Sequence, residues 1–297
     1  MKELNSLKKG PSALLIKHPL KVVARAEAIE RPTRRQMEAT RRFFDNCNVS
    51  LSRIVSEPEK IDGLSTLPEV AFMGRSNVGK SSLLNALLYP KSSSGSVTNK
   101  EFARVANHPG YTKTLNFFTC GRQVRVVDMP GYGFGSRTQQ GELIKTYLQN
   151  QRTLKRAYVL ASCKEGLTEL DDMVLDMLEE YGVPWQLVYT KLDKLVTKPI
   201  DVSIPTAAAK NQKQSFLQKL SKKPPIPQHK VPKQQLSLQD TETINQKVQE
   251  GLDLVQQRGN AAVFEEVIGT SSTKMLTYLG IDELRASIFQ ACGLLCK

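Results

Sequence analysis

Apolar residues recur along this chain in two alternating patterns. Short blocks such as "EVAFM", "TLNFFTC", "QVRVVDM", "RAYVLASC" and "PWQLVYT", with a last one in "AAVFEEVIGTSS", read as strands buried on both faces. Between them run segments with helical spacing. Leu83, Leu84 and Leu87 follow Ser81, "GELIKTYLQNQRTL" follows the third block, and "DMVLDMLEEYG" ends at a capping Gly182. "TINQKVQEGLDLVQQRG" and "IDELRASIFQACG" complete the set. Strand and helix alternating from Leu67 onward predict an α/β domain, a mostly parallel sheet with helices on both faces. No internal repeat interrupts the pattern.

The pattern fails once. Residues 194–235 hold Pro199, Pro205, Pro224, Pro225, Pro227 and Pro232 among lysines and glutamines, a composition that buries no core and predicts a flexible insertion. Charge marks the same place. The chain of 297 residues carries a net +13, with 9 Lys+Arg against 1 Asp+Glu in 194–235 and 13 against 7 in residues 1–60. The segments 61–193 and 236–297 carry 15 against 13 and 5 against 8. A fold has no use for such an excess; a polyanionic partner does. Three regions are therefore expected: a basic N-terminal extension over 1–60, a domain over 67–290, and the basic insertion 194–235 within it.

A hydrophobic content of 40% suits a globular chain, and no apolar stretch approaches the roughly 20 residues of a membrane span. Cys47, Cys120, Cys163, Cys292 and Cys296 lack paired CxxC spacing and are odd in number. They read as free thiols in a reducing compartment rather than as a disulfide framework or a zinc site.

The chemistry begins at "GRSNVGKSSLLNALL", where Gly74, Gly79, Lys80 and Ser81 fit the phosphate-loop spacing between a strand and a helix. Backbone N–H groups of Gly74, Arg75, Ser76, Asn77, Val78 and Gly79 are placed to wrap phosphate oxygens at a helix N-terminus. Lys80 is expected to neutralise the β- and γ-phosphates, and the Ser81 hydroxyl to ligate Mg²⁺. Later motifs choose the base. "VVDMPGYG" matches DxxG, with Asp128 toward the Mg²⁺ shell and the Gly131 N–H on the γ-phosphate. "YTKLDK" offers Thr190, Lys191 and Asp193 in the pattern [NT]KxD. A carboxylate there accepts from guanine N1–H and N2–H₂, a donor pair that adenine lacks, while the Lys191 stem lies along the base. In "GTSSTK", Ser271 and Ser272 are candidates to present backbone N–H to guanine O6. GTP is the substrate these elements describe. "HPGYTKTLNFF" supplies Gly110 and a switch threonine, Thr112 in preference to Thr114, to complete the Mg²⁺ shell in the GTP state. The expected catalytic residues are Lys80, Thr112 and Gly131, and the expected metal ligands Ser81, Thr112 and Asp128.

"GRSNVGKSSLLNAL", "PGYTKTLNFF", "VDMPGYGFG" and "TKLDK" together resemble the EngB/YihA family of GTPases, in the Era-like group. The resemblance covers about 67–193 and 236–290, supports Thr112 as the switch residue, and implies a role in assembling the large ribosomal subunit, with rRNA or a pre-ribosomal particle as partner. The sixty-residue N-terminal extension and the lysine-proline insertion depart from the compact bacterial members. Where many signalling GTPases place a water-orienting Gln after DxxG, this chain has Tyr132 and Gly133, which predicts slow intrinsic turnover or an unusual activator. Asn77 either coordinates K⁺ beside the phosphates, as in Era-like GTPases with Asn here, or only serves a left-handed loop.

The stretch "MKELNSLKKGPSALLIKHPLKVVARA" sets Lys2, Lys8, Lys9, Lys17, Lys21 and Arg25 against Glu3 alone. Its longest apolar run, "ALLI", is too short for a secretory core. Basic, acid-poor composition points to a mitochondrial presequence and a matrix protein. Few serines, late arginines, Pro11 and Pro19 point to the alternative, a basic arm on rRNA in a cytoplasmic protein. Two other functions fit a GTP-binding core, a septin-like structural protein and a GTPase of tRNA modification. Neither the coiled-coil tail of the first nor the added catalytic domain of the second is visible in the pattern.

Overall fold

The computed structural model describes residues 19–61, 66–88, 113–133, 138–150, 152–196, 236–273 and 278–295. In chain order its elements are β1 (Val23–Arg25), α1 (Arg34–Asn46), β2 (Val49–Val55), β3 (Glu69–Gly74), α2 (Lys80–Leu88), β4 (Leu115–Cys120) and β5 (Val124–Asp128). They continue as α3 (Thr138–Asn150), β6 (Leu154–Ser162), α4 (Glu169–Glu180), β7 (Trp185–Thr190), α5 (Leu238–Arg258), β8 (Glu266–Gly269) and α6 (Ile281–Ala291).

These strands make one sheet in the order β1-β8-β7-β6-β3-β5-β4-β2. Strands β8, β7, β6, β3 and β5 run parallel, and β1, β4 and β2 add antiparallel edges. Alternate residues of each central strand enter different cores, as the two-residue period requires. Ala71, Met73, Ala157, Val159, Trp185 and Leu187 face one core, and Val70, Phe72, Tyr158, Leu160 and Val188 the other. The first is covered by α3, α4 and α5, through Leu143, Tyr147, Leu175, Leu178, Ile244 and Val248. The second is covered by α2, α6 and α1, through Leu83, Leu87, Leu284, Ile288 and Phe44. A strand covered on both faces has to be apolar throughout, which is why the blocks read as unbroken runs. The expected α/β class with a mostly parallel sheet is the observed one.

The N-terminal segment differs from the expectation. Residues 19–61 are part of the sheet and its cover, so a boundary at residue 60 cuts through the domain. β1 pairs with β8, Val22 is buried, and Arg25 forms an ion pair with Glu266 at 2.8 Å. β2 pairs with β4 over Val49 to Val55. Helix α1 starts at a capping box between Thr33 and Gln36 and packs Phe43 and Phe44, with tilted rings, against Phe289 of α6. Arg34, Arg35, Arg41 and Arg42 stay exposed, so basic charge and membership of the fold occupy different faces of one helix.

Residues 197–235, most of the expected insertion, lie outside the described residues, as do residues 1–18 and 89–112. Leu195, Val196 and Leu236 pack against the first core, so both ends of the insertion are anchored to it. After it, Ser237 caps α5 by accepting from the Asp240 N–H at 3.0 Å. Among the described residues no helix is long and apolar enough to cross a membrane.

Candidate nucleotide site

The parallel strands β3, β5, β7 and β8 end on the same side of the sheet, at Gly74, Asp128, Thr190 and Gly269. Open α/β sheets bind ligands outside such carboxyl ends. The chain leaving β3 turns at Asn77 (φ 65°) and Gly79 (φ 107°) before α2 starts at Lys80. Asn tolerates that left-handed conformation, which accounts for the residue at position 77 by backbone geometry. At Gly74 an added Cβ would lie 2.9 Å from Val78 Cγ1 and 3.0 Å from the Leu160 carbonyl oxygen, so the loop closes on itself only with glycine there. Val78 is buried and anchors the loop in the second core.

Lys80 is buried and its ammonium is paired with the Asp128 carboxylate. Asn116 on β4 donates to the other Asp128 oxygen at 3.4 Å and accepts from the Thr114 hydroxyl at 2.9 Å. Thr114 is thus engaged within β4's own network. Gly110 and Thr112, the expected switch residues, lie outside the described residues. Asn116 belongs to the site although the sequence reading passed over it. Its signal is a single amide inside the apolar block "LNFF".

Gly131 crosses directly over the phosphate loop. A Cβ there would meet Ser76 Oγ at 3.1 Å and Ser76 Cα at 3.3 Å. Tyr132 follows, accepting from the Ser76 N–H at 3.0 Å and donating its hydroxyl to Asp171 at 2.8 Å. Asp171 is fully buried, closes the capping box of α4 with Thr168, and lies 3.3 Å from Arg75 Nε. Burial first, then the Asp171 charge, pushes the Tyr132 phenol well above its ordinary pKa, so it is a neutral donor. The Arg75 side chain, held by Asp171 and by Glu165 at 2.8 Å, belongs to this network.

At the end of β7, the Thr190 hydroxyl donates to the Val78 carbonyl at 2.7 Å and lies 3.2 Å from the Ala161 carbonyl, which shares the proton. It ties the end of β7 to the phosphate loop. Lys191 adopts φ 62° and donates from Nζ to the Asn77 carbonyl at 2.7 Å. An added Cβ at Gly79 would lie 3.6 Å from Lys191 Cε, so the lysine stem runs along the loop. Asp193 Oδ1 accepts from the Ser271 hydroxyl at 3.0 Å. One expectation is corrected here. The Ser271 N–H donates to the Leu279 carbonyl at 2.9 Å and is already committed, so it is not a donor to guanine O6. Ser271 instead orients Asp193 through its side chain, and the half-buried Ser272 is left as the candidate N–H.

Ser81 hydroxyl and Asp128 carboxylate are hard oxygen donors, the class Mg²⁺ takes alongside substrate phosphates and water. Among the described residues no group of three or more His, Cys, Asp or Glu could hold a metal alone. A hydroxyl and one carboxylate fit a cation that takes its remaining oxygen ligands from phosphate and water.

The family described as "50S ribosome-binding GTPase" matches residues 69–191. A probable GTP-binding protein EngB of Caulobacter vibrioides is 34% identical over 267 residues, which span 88% of this chain and 90% of that protein. The chain belongs to the EngB family. An EngB from Ruegeria sp. is 37% identical over 179 residues, 57% of this chain and 76% of its own length. The MIOREX complex component 8 of Saccharomyces cerevisiae is 40% identical over 132 residues, 44% of this chain and 41% of that protein. A solved structure of a probable engB protein is 18% identical and covers 76% of this chain and 98% of its own, at a TM-score of 0.38. EngB membership agrees with the order of motifs along β3, β5, β7 and β8.

Proposed function

We propose that this EngB-family GTPase acts as a switch in assembly of the large ribosomal subunit, and that it does so on mitochondrial ribosomes. The observation that carries the nucleotide half is the coupling of base and phosphate ends. Asp193 is oriented by Ser271, and Lys191 reaches from the same turn to the Asn77 carbonyl of the phosphate loop. A ligand with a guanine at one end and phosphates at the other engages both ends of that preformed unit. In this reading Lys80 exchanges Asp128 for β- and γ-phosphate oxygens, and Asp128 and Ser81 are turned to the metal, with Thr112 completing its shell. Ser81, Asp128 and Thr112 would hold Mg²⁺, which when bound would supply neutralisation of the phosphate charge. The Gly131 N–H reports the γ-phosphate, and hydrolysis releases that contact and the Thr112 one together.

The ribosomal half is supported by the "50S ribosome-binding GTPase" description of the matching family and by the basic excess in residues 1–60 and 194–235. The mitochondrial address is supported by the acid-poor N-terminal stretch and by the likeness to the yeast MIOREX component. The test is co-sedimentation of the full chain with mitochondrial and cytoplasmic large subunits, with a non-hydrolysable GTP analogue or with GDP. Retention on the mitochondrial particle with the analogue and release with GDP is expected; equal retention in both states removes the switch. K⁺, if Asn77 ligates it, raises turnover over equimolar Na⁺, and equal rates leave Asn77 as a turn residue.

A further inference from the structure

Three thiols gather on the second core, at the end of the sheet away from Asp128. Cys47 ends α1 and is half-buried, Cys120 ends β4 and is fully buried, and Cys292 follows α6. All three are free. Two are brought together by strand register. Val49 pairs with Cys120, the Gly121 N–H donates to the Asn48 carbonyl at 3.0 Å, and Cys47 immediately precedes that bond. A Cβ built on Gly121 would sit 3.2 Å from Cys47 Cβ, so the side chain at 47 lies directly against the Cys120–Gly121 corner.

We propose that Cys47 and Cys120 form a modification site, a dithiol that a small-molecule disulfide such as oxidised glutathione converts to an internal disulfide bond. The half-buried Cys47 is the entry point. Its thiol is lowered below the ordinary value chiefly by the neighbouring Cys120 thiol and also by the Arg285 charge, against desolvation. The buried Cys120 thiol is held well above it, by its Cys47 neighbour and by desolvation. The half-buried Cys47, open to a small disulfide, is the attacking member and the buried Cys120 the resolving thiol. Cys47 sulfur attacks one sulfur of glutathione disulfide; the Cys47–glutathione bond forms, the glutathione S–S bond breaks, and one glutathione thiolate leaves. Cys120 then loses its proton and attacks the Cys47 sulfur, and the second glutathione departs and takes up a proton. Two protein thiols are oxidised by two electrons, and one glutathione disulfide is reduced to two thiols. The product staples α1 to the core sheet and closes a loop of about 70 residues that contains the phosphate loop, which restricts the denatured chain more than the native one.

The test is incubation of the full-length protein with oxidised glutathione, then alkylation, intact mass and peptide mapping. Loss of two hydrogens, a crosslink between the peptides of Cys47 and Cys120, and a denaturation midpoint that rises and falls back with dithiothreitol are expected. A lasting glutathione adduct, no reaction, or a crosslink that uses Cys163, Cys292 or Cys296 would overturn the assignment. Cys120→Ser should trap the adduct on Cys47. Cys47→Ser, at a half-buried position, should abolish the crosslink. A two-hydrogen loss persisting in Cys47→Ser also refutes the pair.

Discussion

Asp193, the residue proposed to read the base, accepts from one hydroxyl, that of Ser271, whose own N–H donates to the Leu279 carbonyl. This makes two substitutions informative together. Asp193→Asn places a donor against guanine donors, and loss of the charge-assisted contact should cost about 2–3 kcal/mol, roughly 30- to 150-fold in Kd. Preference should move toward xanthine nucleotides. Ser271→Ala leaves the carboxylate in place but unoriented, and should cost about 1 kcal/mol. Calorimetric titration with GTP, XTP and ATP reads both, and unchanged GTP affinity in Asp193→Asn removes that residue from the base site. Ser271 also shows the limit of reading a motif as a string. Its position was legible in "GTSSTK", but which of its groups was available depended on Leu279, eight residues further along.

Helix α5 carries a glycine, Gly251, in its interior, where intrinsic propensity favours alanine by about 1 kcal/mol. Packing decides the other way. A Cβ there would lie 2.5 Å from Tyr189 Cε2 and 3.2 Å from Val267 Cγ1, both fully buried on β7 and β8. Overpacking of that kind costs about 1–3 kcal/mol, so Gly251→Ala should lower the denaturation midpoint despite the better helix former. A rise in urea midpoint would show that Tyr189 has room to move. The glycine lets α5 lie close on the strand that ends in Thr190, and so bears indirectly on the base site. At the same scale, Arg285 of α6 donates to the Leu87 carbonyl at 2.9 Å, pairs with Asp45 and Asp282 at 3.2 Å, and so joins the C-terminal end of α2 to α1 and α6. The N-terminal helix is thereby tied to the helix that begins at the phosphate loop.

Across the whole molecule the buried phenols and thiols predict how the fold fails in alkali. Burial pushes Tyr158 and Tyr189 up to about 12, Cys292 to about 12 and Cys163 to about 11. Unfolded tyrosine titrates near 10. Folded values above unfolded ones mean that this contribution to stability is complete below the unfolded pKa and is lost as pH rises through the folded one. Unfolded thiols titrate near 8.5, so far-ultraviolet circular dichroism should hold to about pH 8, weaken above that, and collapse between about 10 and 12. The basic insertion is tested on the same scale. Removing residues 198–233, between the anchors Val196 and Leu236, should leave GTP affinity nearly unchanged. If its lysines meet rRNA, the slope of log affinity for ribosomal particles against log salt should flatten by roughly 0.7–0.9 per lost phosphate contact. Parallel slopes would assign the RNA contact to the N-terminal basic face instead.

The chain itself determined the phosphate loop, DxxG and TKLDK, because each works largely through backbone and side chains within a few residues and needs only a strand before it and a turn after it. The central strands were legible for a related reason: burial on both faces writes an unbroken apolar run, as in "EVAFM" and "QLVYT". Tertiary structure alone decided the rest. β1 is three residues long and β2 exposes most of its side chains, so neither left an alternation to read, and their place in the sheet came from pairing with β8 and β4. Charge had set residues 1–60 apart, yet a helix such as α1 can keep arginines in water while its phenylalanines enter the core. Asn116, Asp171 and the approach of Cys47 to the Cys120–Gly121 corner likewise arise between residues distant in sequence, since local pattern records which face of an element is buried but not what that face meets.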